Sequence, residues 1–435
     1  MMSCRFRRNA LTAAASTIAL MVATAANADA FYLNAQSVRA SGRAYSGEAA
    51  DKGAASLWWN PAAIAGNETN TFYGGVTAIL PKSKASNVNT LIVRPGQAAA
   101  PVGGNQASRN PLRKGALPTA AVGYKLNDQW AVGFAMTSPF SFTTNYDGAS
   151  WARYNADKTK LTTFDLQPTI AFQPTPELGF GFGVNVEYSK ASLSTALPNL
   201  SPLQPDGHQT LRGKGWDFGF SVGTQIHPTD GIDVGLSYKS SVKHVLKGSI
   251  TTAGLLGPLA GGNGTLGGLR TTFRTPWQAT AAVRVRASTP LVINAQIIRA
   301  GWKKFDAIRI GAPVSAAVVE NYKSVWSVAA GFDYDVTEKL VLRSGIAFAQ
   351  TPTQDGSRSP RVPDGSRTTF AIGASYKWND RITIDAAADY LSFKKNTLDR
   401  PDGFYPGSPA QTVVLTNGRI SNRVLTFGLG ARMDF

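Results

Sequence analysis

The chain has 435 residues, with 43 glycines, 10% aromatic and 16% charged residues, and a formal net charge of +17. That length would ordinarily make two or three soluble domains, but sparse charge and abundant glycine suit one large β-barrel better. The single cysteine, Cys4, lies ahead of the first apolar stretch, so neither a disulfide nor a lipid-anchored cysteine is expected. The basic residues are dispersed and no nucleic-acid motif accompanies them; no nucleic-acid partner is expected, and the excess cations are assigned to rims and loops facing anionic lipopolysaccharide.

Arg5, Arg7 and Arg8 precede an uncharged stretch from Ala10 to about Ala26, and Ala26-Asn27-Ala28 offers a small-x-small cleavage site. Residues 1–28 therefore read as a secretory signal peptide. No later stretch is apolar over the roughly 18 residues that a membrane-spanning helix needs. Residues 29–70, rich in Ala, Gly and Ser and containing Trp58 and Trp59, lack alternation and read as a small folded plug, because an unplugged fourteen-strand lumen would be a wide aqueous pore.

From residue 71 to 435 the dominant signal is a period of two. Leu425, Phe427, Leu429, Ala431, Met433 and Phe435 fall on one face; Thr426, Gly428, Gly430, Arg432 and Asp434 fall on the other. Ile382, Ile384, Ala386, Ala388 and Tyr390 likewise oppose Thr383, Asp385, Ala387 and Asp389, and Leu340, Leu342, Ile346 and Phe348 oppose Arg343, Gly345 and Ala347. One face suits lipid and the other a watery lumen. The pattern predicts strands near 71–81, 118–127, 130–138, 161–173, 177–193, 209–227, 231–248, 270–287, 290–303, 320–336, 339–350, 366–378, 381–395 and 421–435. Tight turns such as Asn127-Asp128 and Asn379-Asp380 alternate with long connections over 82–117, 139–160, 194–208, 249–269, 304–319, 351–365 and 396–420. The fold class is all-β: an antiparallel transmembrane barrel of about fourteen strands in the outer membrane, with short turns periplasmic and long loops outside. Insertion of such a chain would call on the barrel assembly machinery.

Within the long loops, Leu255, Leu256 and Leu259 stand among glycines, and Leu197, Leu200 and Leu203 occupy the preceding long loop. Together they suggest a greasy capture groove. His208, His227 and His244 are scattered, without the spacing of a hydrolase or a metal site; neither enzyme activity, a cofactor nor a metal is expected. Gly179-Phe180-Gly181-Phe182-Gly183 reads as a strand with glycines on one face rather than a nucleotide loop. Ser138-Pro139 ends the third strand, since proline cannot donate to the ladder; from the sequence alone Pro139 starts an extracellular loop.

Segment 42–62, with Gly42-Arg43-Ala44-Tyr45-Ser46-Gly47-Glu48 and then Asn60-Pro61-Ala62, closely resembles the N-terminal hatch of the FadL family of long-chain fatty acid and hydrophobic-compound transporters. Gly301-Trp302-Lys303-Lys304-Phe305, Tyr322-Lys323, Arg343 through Phe348 and Pro363-Asp364-Gly365-Ser366-Arg367 are similar to the same family. The resemblance implies a hatch-plugged barrel that passes hydrophobic ligands without an energy source and releases them sideways through a wall gap near the third strand. It makes Lys190 and Lys323 the candidate carboxylate partners in an internal pocket and Phe31 the aromatic residue closing it. Gly42, Gly47 and Asn60-Pro61-Ala62 become hatch residues that position the gate. The expected ligand is a long-chain fatty acid or a similar hydrophobic small molecule; an aromatic-hydrocarbon channel and a general diffusion porin are the alternatives.

Overall fold

The computed structural model describes residues 30–435, so the expected signal peptide lies outside the described residues. The fourteen strands of the barrel are, in chain order, β1 (Thr71–Asn87), β2 (Gly115–Lys125), β3 (Trp130–Thr137), β4 (Lys158–Thr175), β5 (Leu178–Leu197), β6 (Gly207–Thr229) and β7, in the two pieces Ile232–Lys239 and Lys243–Ala253. There follow β8 (Gly264–Arg274 and Gln278–Ser288), β9 (Leu291–Ala300), β10 (Val325–Asp335), β11 (Leu340–Ala349), β12 (Arg367–Lys377), β13 (Ile382–Phe393) and β14 (Thr412–Asp434). Each pairs antiparallel with its neighbour, and β14 returns to pair with β1 from Thr71↔Asp434 to Asn87↔Gly418, which closes the sheet. Closure leaves no open edge, the condition for a sheet to span a bilayer.

The alternation holds strand by strand. On β14, Leu425, Phe427 and Leu429 point outward while Asn422, Val424 and Thr426 are buried inside. Phe180 and Phe182 face out from β5, and Gly179, Gly181 and Gly183, which alternate with them, face the lumen. Several strands outrun the predicted spans: β14 begins at Thr412 rather than 421, because Asn396–Phe404 pairs with it as a hairpin above the barrel rim.

Three strands are interrupted, two of them, β7 and β8, where continuous ones were expected. β3 stops at Thr137, and the chain resumes pairing with β4 only at Phe142–Asn145. Pro139 therefore does not begin an extracellular loop; it sits in a dip of the wall. The β2–β3 ladder ends at Ala120↔Met136, leaving Gly115–Thr119 without a β3 partner, and contact resumes above, where Arg113 N donates to Thr143 O at 3.0 Å. The result is a window in the wall. β7 and β8 break together at residues 240–242 and 275–277 and stay tied by Thr275 N to Val242 O at 3.0 Å.

Residues 30–65 lie within the barrel and are almost entirely buried. They form one helical turn, Val38–Ser41, and the short 3-10 helices Glu48–Ala50, Ala54–Ser56 and Pro61–Ile64. None is long enough to be stable alone; the surrounding wall holds them. Glycines on the inner wall permit the contact: a Cβ at Gly181 would lie 2.2 Å from the Pro61 carbonyl carbon, and one at Gly345 2.3 Å from the Arg43 oxygen.

Candidate functional site

Hatch and wall are joined by a buried ionic network that the sequence did not announce. Arg43, fully buried, pairs with Glu48 and Asp51 on the hatch and with Asp333 of β10 at 3.0 Å. Arg284 of β8 reaches Asp51 at 3.3 Å and Asp333 at 3.0 Å, and Arg343 of β11 reaches Asp333 at 2.6 Å. Such charges are tolerable only because each meets opposite charge and hydrogen bonds. Asn60 does related work with neutral groups: Oδ1 accepts from Ala62 N at 2.9 Å, capping the Pro61–Ile64 turn, while Nδ2 donates to Ala49 O at 2.7 Å and to Thr224 O of β6 at 3.0 Å. Gly47 stands at φ +69, a left-handed conformation that glycine adopts without strain. Gly42 lies against Gly373 of β12, with no room for a side chain at either residue.

The start of the hatch meets the β3 break. Leu33 N donates to Pro139 O at 2.8 Å, Gln36 Nε2 donates to Ser138 O at 3.1 Å, and Ser138 N donates to Gln36 Oε1 at 3.2 Å. Ala30 N donates to Asp364 Oδ2 at 3.1 Å. This places Phe31 in an aromatic cluster, with ring centroids 5.5 Å from Phe142, 5.0 Å from Trp302 and 5.1 Å from Phe305; Tyr322 closes the group 4.9 Å from Phe305.

Beside this cluster lies a small apolar cavity of about 50 Å³, open in part to solvent. Phe31, Phe142, Leu161, Ala191, Leu193, Leu246, Phe273, Phe305, Ile308 and Val362 line it, and charge enters through Lys160, Glu320 and Arg361. The Arg361 guanidinium donates to Thr159 Oγ1 at 2.8 Å and to Asn155 O at 2.7 Å, and forms no ion pair among the described residues. Burial lowers its pKa to about 10, with Glu320 pulling the other way. Burial likewise pushes the Glu320 carboxyl up to about 7, outweighing Arg400 and Arg361, which lower it. This mouth is thus a buried cation beside an acid whose charged form burial disfavours.

Two expected pocket residues are elsewhere. Lys190 shares the outward register of β5 with Phe180, Phe182 and Tyr188, and its side chain is exposed; the inward positions beside it are Ser189 and Ala191. The period of two alone puts it outside. Lys323 is also exposed, and its neighbour Tyr322 is the residue that enters the cluster. Neither lysine lines the cavity, so the structure does not place them where a carboxylate partner was expected; Arg361, which sequence reasoning missed, lines it instead. The greasy loops divide as well. Leu255 is buried against Gly207 and held by Asn263, Leu256 and Leu203 are exposed, and Leu259 is half-buried. Asn199 joins the two loops through Leu256 N and Gly254 O, both at 3.0 Å. The apolar cavity lies deeper, between the hatch and the wall.

Ser189, His244 and Asp217 meet inside the barrel, yet not as a hydrolytic triad. Ser189 Oγ at 3.1 Å and Asp217 at 3.4 Å share Nδ1, and Glu187 holds Nε2 at 3.2 Å. No ring nitrogen is left to activate the serine through the opposite edge.

Comparison with known proteins agrees with this architecture. The family model described as outer membrane protein transport protein (OMPP1/FadL/TodX) matches residues 19–435. The chain is 25% identical over 435 residues to the long-chain fatty acid transport protein of Escherichia coli, covering 92% of this chain and 94% of that one. The solved structure of a Pseudomonas aeruginosa FadL homologue shares the fold at a TM-score of 0.82 and 22% identity, covering 93% of this chain and 100% of that one. The Ralstonia pickettii toluene transporter TbuX does so at 0.66 and 17%, covering 92% and 99%. A closed fourteen-strand wall, a hatch packed within it, and a family model matched over nearly the whole length make this chain a member of the OMPP1/FadL/TodX family of outer-membrane transport proteins.

Proposed function

We propose that this barrel carries long-chain fatty acids, or amphiphiles of the same shape, across the outer membrane. The observation that carries the reading is the apolar cavity behind Phe31, with the Arg361 guanidinium in its lining. An acyl tail gains from leaving water for the phenyl and leucine lining, and its carboxylate gains from a charge-assisted bond to a guanidinium already desolvated. The name of the Escherichia coli relative points to the same ligand class. Ligand held there lies against the hatch start, which itself bonds to the β3 break. Release of Leu33 and Gln36 from Pro139 and Ser138 would open the cavity toward the window between β2 and β3. The chain's cations at the long-loop end would face lipopolysaccharide, and its apolar C-terminal strand would be recognised by the assembly machinery that inserts barrels.

Equilibrium binding of a labelled long-chain fatty acid to the folded barrel tests this. Loss of one charge-assisted bond in Arg361→Gln should cost about 1.5–3 kcal/mol, roughly ten- to hundred-fold in Kd, while the fatty alcohol of equal length should be unaffected. Equal loss for acid and alcohol would remove the carboxylate role. A second reading rests on the rings of Phe31, Phe142, Phe273 and Phe305: an aromatic hydrocarbon would use this lining without Arg361. Ready displacement of the fatty acid by toluene, with Arg361→Gln neutral, would favour it. An open diffusion pore fits poorly with a lumen occupied by buried hatch residues.

A further inference from the structure

Lys190, absent from the cavity, belongs to a different arrangement. It is the direct cross-strand partner of Lys214 on β6; Lys214 faces Lys247 on β7; and Lys247 faces Arg270 on β8. All four side chains are exposed. Adjacent strands are about 4.8 Å apart, so the row crosses roughly 14 Å of the outer wall. Like charges directly opposite one another on a sheet destabilise it. Here four stand in line, and among the described residues none of them forms an ion pair. Arg212, one outward position above Lys214 on β6, adds a fifth exposed cation.

What lies beneath the row fixes its surroundings. One outward position toward the membrane, Tyr188 and Trp216 pack with centroids 5.0 Å apart, and Phe218 follows at 68% exposure. A half-buried tyrosine and an exposed tryptophan on the outer face over an apolar band mark the headgroup level of a membrane barrel. The row sits above that girdle on the side of the long loops, hence at the outer leaflet. Its occupant must bring negative charge at the headgroup and acyl chains just below it.

We infer that Lys190, Lys214, Lys247 and Arg270 form a binding site for the phosphate groups of lipopolysaccharide, with its acyl chains lying on Tyr188, Trp216 and Phe218. A diphosphorylated lipid spreads its charge along several strands at once and so relieves repulsion that a single small anion would leave in place. The site would hold one lipid against β5–β8, the part of the wall that contributes Ala191, Leu193, Leu246 and Phe273 to the cavity.

The test is binding of diphosphorylated lipid A to the full folded barrel in mild detergent, comparing wild type with a Lys190→Gln, Lys214→Gln, Lys247→Gln, Arg270→Gln variant. A charge-matched control carries Lys125→Gln, Lys339→Gln, Lys377→Gln and Arg381→Gln at the opposite, short-turn end. Retained heat-modifiable mobility and unchanged fatty acid binding show that each variant is folded. Loss of several charge-assisted contacts should weaken lipid A binding at least ~10-fold in the row variant, leave the control as wild type, and make wild type discriminate against dephosphorylated lipid A by a similar factor. Equal binding by the row variant, indifference to the lipid's phosphates, equal row-dependent binding of phosphatidylglycerol, or full competition by millimolar inorganic phosphate would each overturn the assignment.

Discussion

Asn60 shows how one side chain can hold the hatch in the barrel. Its amide caps a hatch turn, crosses to another hatch turn and bonds the β6 backbone. Asn60→Ala removes the cap and the side-chain donor to two backbone carbonyls, a cost of about 1–3 kcal/mol; the denaturant midpoint of the folded barrel should fall accordingly. Glu320 sets a pH dependence. Its carboxyl titrates at about 7 when folded, against 4.5 in the ordinary carboxyl, so the protonated form is favoured by folding. The stability it contributes is complete below about 4.5 and is lost as pH rises through about 7. Over the same upper range the new negative charge beside Arg361 should weaken carboxylate binding. Glu320→Gln should flatten that decline, measured as fatty acid Kd between pH 5.5 and 8.

At the scale of elements, the hatch start and the broken β3 act as one unit. Neither has a complete hydrogen-bond ladder alone, and each supplies the other's missing partners at Leu33, Gln36, Ser138 and Pro139. Phe31 anchors that unit in the aromatic cluster. Truncation to alanine should forfeit about 3–5 kcal/mol of packing, seen as faster hydrogen exchange at the Leu33 amide and reduced fatty acid uptake. The glycine contacts give the opposite experiment. In Gly345→Val a side chain would enter the space of the Arg43 carbonyl, and the rigid strand cannot yield, so the hatch must shift.

For the whole molecule, closure of the fourteen strands and occupation of the lumen are separate achievements. The wall is continuous without the hatch, because β14 pairs with β1. The buried network of Arg43, Asp51, Arg284 and Asp333 then locks the hatch to β8 and β10, with Arg343 of β11 braced against Asp333. Wild type in a planar bilayer should conduct little. Gly345→Val should show added steady conductance while keeping the mobility of a folded barrel; silence in that variant would mean that the hatch seats without the Gly345 contact.

Alternation, turn chemistry and loop asymmetry determined the all-β class, the strand count and which end carries the long loops, because side-chain direction in a strand is a local property with a period of two. That periodicity also placed Lys190 outside, in register with Phe180 and Phe182, although resemblance had set it in the pocket. The breaks in β3, β7 and β8 left only a faint mark, Pro139 and Pro276 among them, since a strand interruption depends on what the neighbouring strand and hatch offer in exchange. Arg361 reaches Thr159 and Asn155, some two hundred positions away, and the cavity gathers residues from Phe31 to Val362. Only closure of the barrel decided that neighbourhood: the interactions that make the site run between distant parts of the chain, and local sequence carries no record of which distant residues will meet.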